Sequence, residues 1–300
     1  MKSGMASIII ATIAVGIAAA VPVERRGKEI MTAQIERKTC LAPDGVKIVY
    51  SAAGAGETTL LFIHGGLADR TFYDGQVRTF ANRYRVTAPD LAGHGESGSN
   101  RTKWGIPEFG ADVRAVAAAE KLKGIILVGN SLGGPVAIEA ALLLSGQVIG
   151  VVGIDTFQNL DFSYSLEDAR KRAEAFRSDY SGSVKAMVKA LFHPDADPVL
   201  MAEAERRMRK TSPDTAFALF HSFAGYDQSA AARKLTVPLR AINGDLFPTD
   251  VPSVRKIKAD FDAIIMKHMG HYPMLERPDE FNRNVVDVVL DLARKPQERP

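Results

Sequence analysis

The apolar residues of this chain come in two textures. Short aliphatic runs without charge, at 58–63, 124–128 and 148–154, have the length and composition of strands buried on both faces. Segments 107–122, with Phe109, Val113 and Val116 at helical spacing, 135–144 and 278–293 predict helices. Residues 35–41 and 46–51 predict two short strands joined by the turn Pro43-Asp44-Gly45, and 85–88 predicts another. Strand and helix then resume at 238–243, 251–258 and 263–267. Continuous apolar strands alternating with helices specify an α/β fold, a mostly parallel sheet covered by helices on both faces.

Two stretches break the alternation. From 157 to 235 charged helical segments follow one another without a buried strand, which predicts a helical insertion placed over one edge of the sheet. The core is then expected to comprise 31–156 and 236–300. At the other break, residues 1–20 carry one charge, Lys2, and an apolar run at 8–21 too short to span a membrane comfortably. With Ala18-Ala19-Ala20 at its end, the run reads as a signal peptide, or as an uncleaved N-terminal anchor given Arg25, Arg26 and Lys28 beyond it. Either way the protein is expected to be exported, periplasmic or secreted. Translation from Met31 would instead leave a cytoplasmic protein.

Composition adds little to this picture but removes several classes. With 38 Lys+Arg against 35 Asp+Glu, the net charge of +3 gives no support to a nucleic-acid partner, and 46% hydrophobic content is that of a globular chain. The densest basic run, Arg206 to Lys210, falls in a helical pattern and reads as a solvated face. A single cysteine, Cys40, excludes an internal disulfide framework and multi-cysteine metal sites.

Chemistry concentrates in one motif. Gly129-Asn130-Ser131-Leu132-Gly133 has a buried strand before it and a helix after it, the context a G-x-S-x-G nucleophile turn requires. A sharp strand-to-helix turn lifts the Ser131 hydroxyl clear of the sheet, and the helix N-terminus supplies positive potential where an oxyanion would form. The competing reading, a glycine-rich turn with an incidental serine, does not account for the flanking elements. A base is expected at His271, in the loop between the last strand and the last helix. His64 and His94 lie in glycine turns and read as packing residues, and His193 and His221 belong to the insertion. A His268/His271 metal pair lacks a carboxylate pattern, so no metal and no organic cofactor is expected.

These motifs, with the His64-Gly65-Gly66 turn, the loop from Asp90 through Gly93-His94-Gly95-Glu96-Ser97, and Gly270-His271 followed by Glu276-Arg277-Pro278, resemble those of the α/β-hydrolase superfamily over residues 35–293. The resemblance implies an eight-stranded sheet, a helical cap between strands six and seven, and Ser131 and His271 as nucleophile and base. It further implies an oxyanion hole formed by the backbone N–H groups of Leu132 and Gly66, with Leu67 as the neighbouring alternative to Gly66. The family usually places its acid after the seventh strand as Gly-x-x-Asp-Pro, whereas this chain has Gly244-Asp245-Leu246-Phe247-Pro248, with Phe247 where the acid is expected. Asp155 at the end of the sixth strand is the favoured replacement, ahead of Asp245 and Asp250. As plain turn or capping residues, all three would be equally ordinary.

The expected activity is hydrolysis of a small, uncharged or weakly charged carboxylic ester, thioester or lactone. Perhydrolase, C–C hydrolase and amidase chemistry, or a receptor-like protein with little turnover, are the alternatives. A small-molecule substrate is the expected partner, and a membrane enters only through an uncleaved leader. Aromatic residues Phe157, Phe162, Tyr164, Phe192, Phe217, Phe220, Phe223 and Tyr226, with Trp104 and Met274, are candidates for pocket lining or for packing. Cys40 is expected to be inert.

Overall fold

The computed structural model describes residues 34–161 and 165–293. The leader, the Met31 start, Phe162 and Tyr164 lie outside the described residues. Eight strands form one sheet: β1 (Glu36–Leu41), β2 (Lys47–Ala53), β3 (Thr59–Ile63), β4 (Arg85–Pro89), β5 (Ile125–Asn130), β6 (Val148–Ile154), β7 (Leu239–Gly244) and β8 (Asp262–Met266). Their spatial order is β1-β2-β4-β3-β5-β6-β7-β8. Only the β1–β2 and β2–β4 pairs are antiparallel. The expected α/β class and mostly parallel eight-stranded sheet are therefore observed.

The helices between and after the strands are α1 (Asp74–Phe80), α2 (Ile106–Ala119), α3 (Gly133–Leu143), α4 (Leu166–Ser178), α5 (Tyr180–Leu191), α6 (Pro198–Met208), α7 (Pro213–Ser222), α8 (Gln228–Arg233), α9 (Val251–Ile257), α10 (Pro273–Glu276) and α11 (Pro278–Ala293). β3 and β5 are buried along their whole length, as their uninterrupted apolar sequences require of central strands covered on both faces. α3, apolar except at Glu139, packs on β5, β6 and α2. α11 buries only one stripe, Phe281, Val285, Val288, Val289 and Leu292. Residues 74–80 went unread as a helix because its seven residues are too few to show a period.

The order β4-β3-β5 is what positions a site. The chain leaves β3 toward β4 on one side and then returns to β5 on the other. Loops at the carboxyl ends of β3 and β5 consequently diverge, opening a crevice where open α/β sheets bind ligands. The five helices α4–α8 lie in the chain between β6 and β7. Side chains of this stretch reach the turn after β3: Thr211 Oγ1 donates to the Leu67 carbonyl (3.3 Å) and Arg207 to the Thr71 carbonyl (3.3 Å). In the basic run, Arg206 and Arg209 form ion pairs with Glu203 and Glu205 on the solvated side of α6. No helix among the described residues is long and apolar enough to cross a membrane.

Candidate active site

β5 ends at Asn130, and Ser131 follows with φ at +53°, a left-handed conformation that a non-glycine residue adopts only where its surroundings enforce it. The two motif glycines show why the turn can be so tight. A Cβ on Gly129 would lie 2.0 Å from the Gly133 carbonyl oxygen, and one on Gly133 would lie 2.4 Å from the Ile63 carbonyl oxygen. Only hydrogen fits at either position. Leu132 then caps α3, placing that helix's N-terminal end behind the serine.

Asp155 begins the loop after β6, also at positive φ (+44°) and almost fully buried. One carboxylate oxygen accepts the Gly244 N–H at 3.0 Å, and the other lies 2.5 Å from Nδ1 of His271. The alternatives are engaged elsewhere. Asp245 accepts the Met269 N–H at 3.2 Å, a bond that lowers its pKa, and lies near Lys267. Asp250 caps α9 by accepting from Ser253 N–H, which lowers its pKa in the same way. Of the three candidate acids, the geometry joins Asp155 to His271.

Ser131, Asp155 and His271 line one cavity of about 440 Å³, together with Leu132, Pro135, Thr156, Phe157, Gln158, Asn159, Phe223, Tyr226, Gln228 and Phe247. Phe157 and the insertion's Phe223 and Tyr226 are thus wall residues. The Tyr226 hydroxyl donates to Glu139, and burial raises its pKa. The other aromatic candidates pack elsewhere. Phe192 and Met274 are buried, Phe220 stacks on Phe176, Arg177 sits over Phe217, and Trp104 packs against Phe109. Phe247 is 37% exposed and meets the His271 ring edge-to-face, with centroids 6.3 Å apart. The position where the family pattern expects an acid thus carries an apolar wall.

Gly66 and Leu67 lie in the turn after β3. A Cβ on the preceding Gly65 would sit 3.3 Å from Ser131 Cβ, so this turn runs beside the serine, and Leu67 is buried at φ +62°. Buried His64 accepts the Leu91 N–H through Nε2 (3.0 Å), and His94 bonds the Ala92 carbonyl through Nδ1 (3.0 Å). Their rings lie 5.0 Å apart, and desolvation lowers their pKa values to about 4 and about 3. His268 meets His193 ring to ring, and no group of three or more metal-ligating side chains occurs among the described residues. Partial burial pushes the Cys40 thiol up to about 11, as expected of an unreactive cysteine.

Sequence reasoning missed two supports. Asn130, inside the motif, donates through Nδ2 to the carbonyls of Ile154 and His271, both at 3.0 Å, tying the serine turn to the histidine loop. Glu276 accepts from backbone N–H groups on both sides of His271. Its place in the Gly270-His271…Glu276 pattern was the available signal, but only the folded loop shows what it holds.

A chain with this sheet, switch point and serine turn is an α/β hydrolase in form, and the family comparison agrees. The profile described as the alpha/beta hydrolase family matches residues 60–284, and the chain belongs to that family. It is 28% identical over 278 residues to a pimeloyl-[acyl-carrier protein] methyl ester esterase of Neisseria meningitidis, covering 87% of this chain and 83% of that one. Its identity to karrikin insensitive 2 receptor IA of Petunia hybrida is 23%, covering 77% and 90%. A thermophilic esterase from Thermogutta terrifontis superposes with a TM-score of 0.75 at 22% identity, over 87% of this chain and all of that one. An uncharacterized protein of Mycobacterium tuberculosis is 34% identical over 97 residues, but that match spans only 28% of its length.

Proposed function

We propose that the protein is a serine hydrolase that cleaves a small carboxylic ester, thioester or lactone. The observation that carries this reading is the 2.5 Å contact between Asp155 and His271 Nδ1, in a cavity that Ser131 shares. Asp155 holds the imidazole with Nδ1 protonated and stabilises the imidazolium that forms later. His271 Nε2 takes the Ser131 proton as the hydroxyl attacks the substrate carbonyl. The N–H groups of Leu132 and Gly66 receive the oxyanion. Collapse of the tetrahedral species expels the alcohol, thiol or ring oxygen, which takes its proton from His271. Water activated by the same imidazole then releases the acid and restores Ser131.

The esterase relatives support ester chemistry, and the insertion at 157–235 serves as the cap that selects substrates. The petunia receptor match favours a second reading, in which the same triad turns over slowly and the pocket serves to bind a ligand. Labelling with a fluorophosphonate probe, together with steady-state hydrolysis of p-nitrophenyl esters, tests both. Labelling with multiple turnover, both abolished by Ser131→Ala, is expected. A single burst without further turnover would favour the receptor reading, and no labelling at all would remove Ser131 as nucleophile. The leader is proposed to direct export, which N-terminal sequencing of the expressed protein checks.

A further inference from the structure

His271 is tethered through its backbone as well as its ring. Its own N–H donates to the Leu191 carbonyl at 2.7 Å, at the end of α5 in the insertion, and its carbonyl accepts from Asn130. The flanking N–H groups converge on one side chain. Glu276 accepts from Gly270 N–H at 3.3 Å and from Tyr272 N–H at 3.2 Å. It also accepts from His193 N–H at 3.2 Å, just past the end of α5. Gly270 leaves no slack, because a Cβ there would lie 2.4 Å from His193 N and 2.7 Å from both the Leu191 carbonyl and Glu276 Oε1. Capping α10 would account for the Tyr272 bond alone. The Gly270 bond holds the histidine loop and the His193 bond reaches the insertion, so one carboxylate bridges the two, and bonds to a carboxylate are stronger than neutral ones.

We infer that Glu276 is a positioning residue. Its carboxylate locks the 270–272 loop onto the end of α5, so that the placement of the His271 imidazole depends on the docking of the insertion. The inference rests on His271 acting as the base proposed above, but it concerns how the ring is held. An insertion tied in this way sets catalytic geometry as well as access. Small displacements of a base from the proton it takes cost large factors in rate, so the effect belongs in kcat rather than KM.

The test is a double-mutant cycle on the full chain. Glu276→Ala is expected to lower kcat roughly 10- to 100-fold with KM little changed, and Glu276→Gln, which keeps one acceptor oxygen, to recover part of the loss. His193→Pro deletes the insertion's N–H, whereas His193→Ala keeps it. The proline variant is expected to lose several-fold in kcat and the alanine variant little. Adding His193→Pro to Glu276→Ala should cost almost nothing more, because both remove one connection. Full additivity, a loss confined to KM, or equal effects of the two His193 variants would each overturn the coupling. The low-field proton signal of His271 Nδ1–H gives a readout independent of any substrate. It is expected to be sharp in the parent and lost or broadened in Glu276→Ala. If it is unchanged there the inference fails, whatever esters the protein cleaves. Absence of labelling and turnover in the parent would count against the hydrolase reading alone.

Discussion

Two neighbouring strand ends carry aspartates in different settings. β6 and β7 pair in parallel, Ile154 against Ile242, and both open toward the cavity. The loop after β6 supplies a buried aspartate at positive φ, bonded to Gly244 N–H and to His271. The loop after β7 carries two aspartates, both spent on backbone N–H groups, and presents Phe247 to the pocket. Burial and connection, rather than the presence of a carboxylate, separate an orienting acid from a turn residue. With the carboxylate that meets His271 on the loop after β6, the loop after β7 presents Phe247 as a wall.

Removing the acid from the first loop should have the largest effect. Asp155→Asn is expected to lower kcat/KM for p-nitrophenyl esters by about 10³–10⁴-fold, since the wrong tautomer of His271 is then stabilised. A loss under tenfold would mean that the acid lies elsewhere. The second loop's wall is sharpened by Phe247→Lys. In the parent, Asp155 and His271 bond each other, and among the described residues no lysine or arginine lines the cavity. A lysine there should raise kcat/KM for p-nitrophenyl hemisuccinate relative to the butyrate by roughly tenfold, the scale of one pocket contact. An unchanged ratio would show that residue 247 does not meet the acyl group.

A smaller effect separates His271 from the two histidines at the ends of β3 and β4. His64 and His94 are buried and neutral, with folded pKa values of about 4 and about 3 against an ordinary 6.5. The unfolded chain therefore takes up more protons than the folded one as pH falls from 6.5 toward 4. Stability contributed by the neutral rings is full above pH 6.5 and is lost through that window. Asp112 opposes them. Burial raises its pKa to about 6 even though Arg101 pairs with it, so its protonation favours the folded state over the same range. Burial raises the pKa values of Asp74 and Asp90 as well. Against these carboxylates the two histidines should still leave a melting temperature several degrees lower at pH 4.5 than at pH 7, while His64→Gln should flatten the slope. A melting temperature independent of pH would contradict this. Asp245→Asn and Asp250→Asn should fall within about twofold of the parent in kcat/KM, because surface changes at turn and cap positions rarely reach the chemistry. A loss approaching that of Asp155→Asn would erase the contrast between the two loops.

Much of this was legible before folding. Aliphatic runs and turn signals placed all eight strands to within about two residues, and the serine motif with its flanking elements located the turn at Ser131. Both signals are local. A strand covered on both faces has to be apolar throughout, and a tight turn has to have glycine where backbone crowds it. His271 was legible from its place between the last strand and the last helix. Asp155 was ranked first among three aspartates from its place at a strand end, but only burial and partners distinguish it from Asp245 and Asp250. What Asn130 and Glu276 hold was not legible, because their distant targets are backbone atoms 24, 141 and 83 positions away.

The chain's own pattern of residues determined the mostly parallel sheet, the serine turn and the family, while the strand order came with the structure. Tertiary structure alone decided which carboxylate meets the imidazole, which aromatics face the cavity and how the insertion grips the histidine loop. Periodicity and turn chemistry act within a few residues and are written along the chain. Orientation of the His271 ring depends on burial and on bonds between segments a hundred residues apart, which exist only once the sheet has brought its strand ends together.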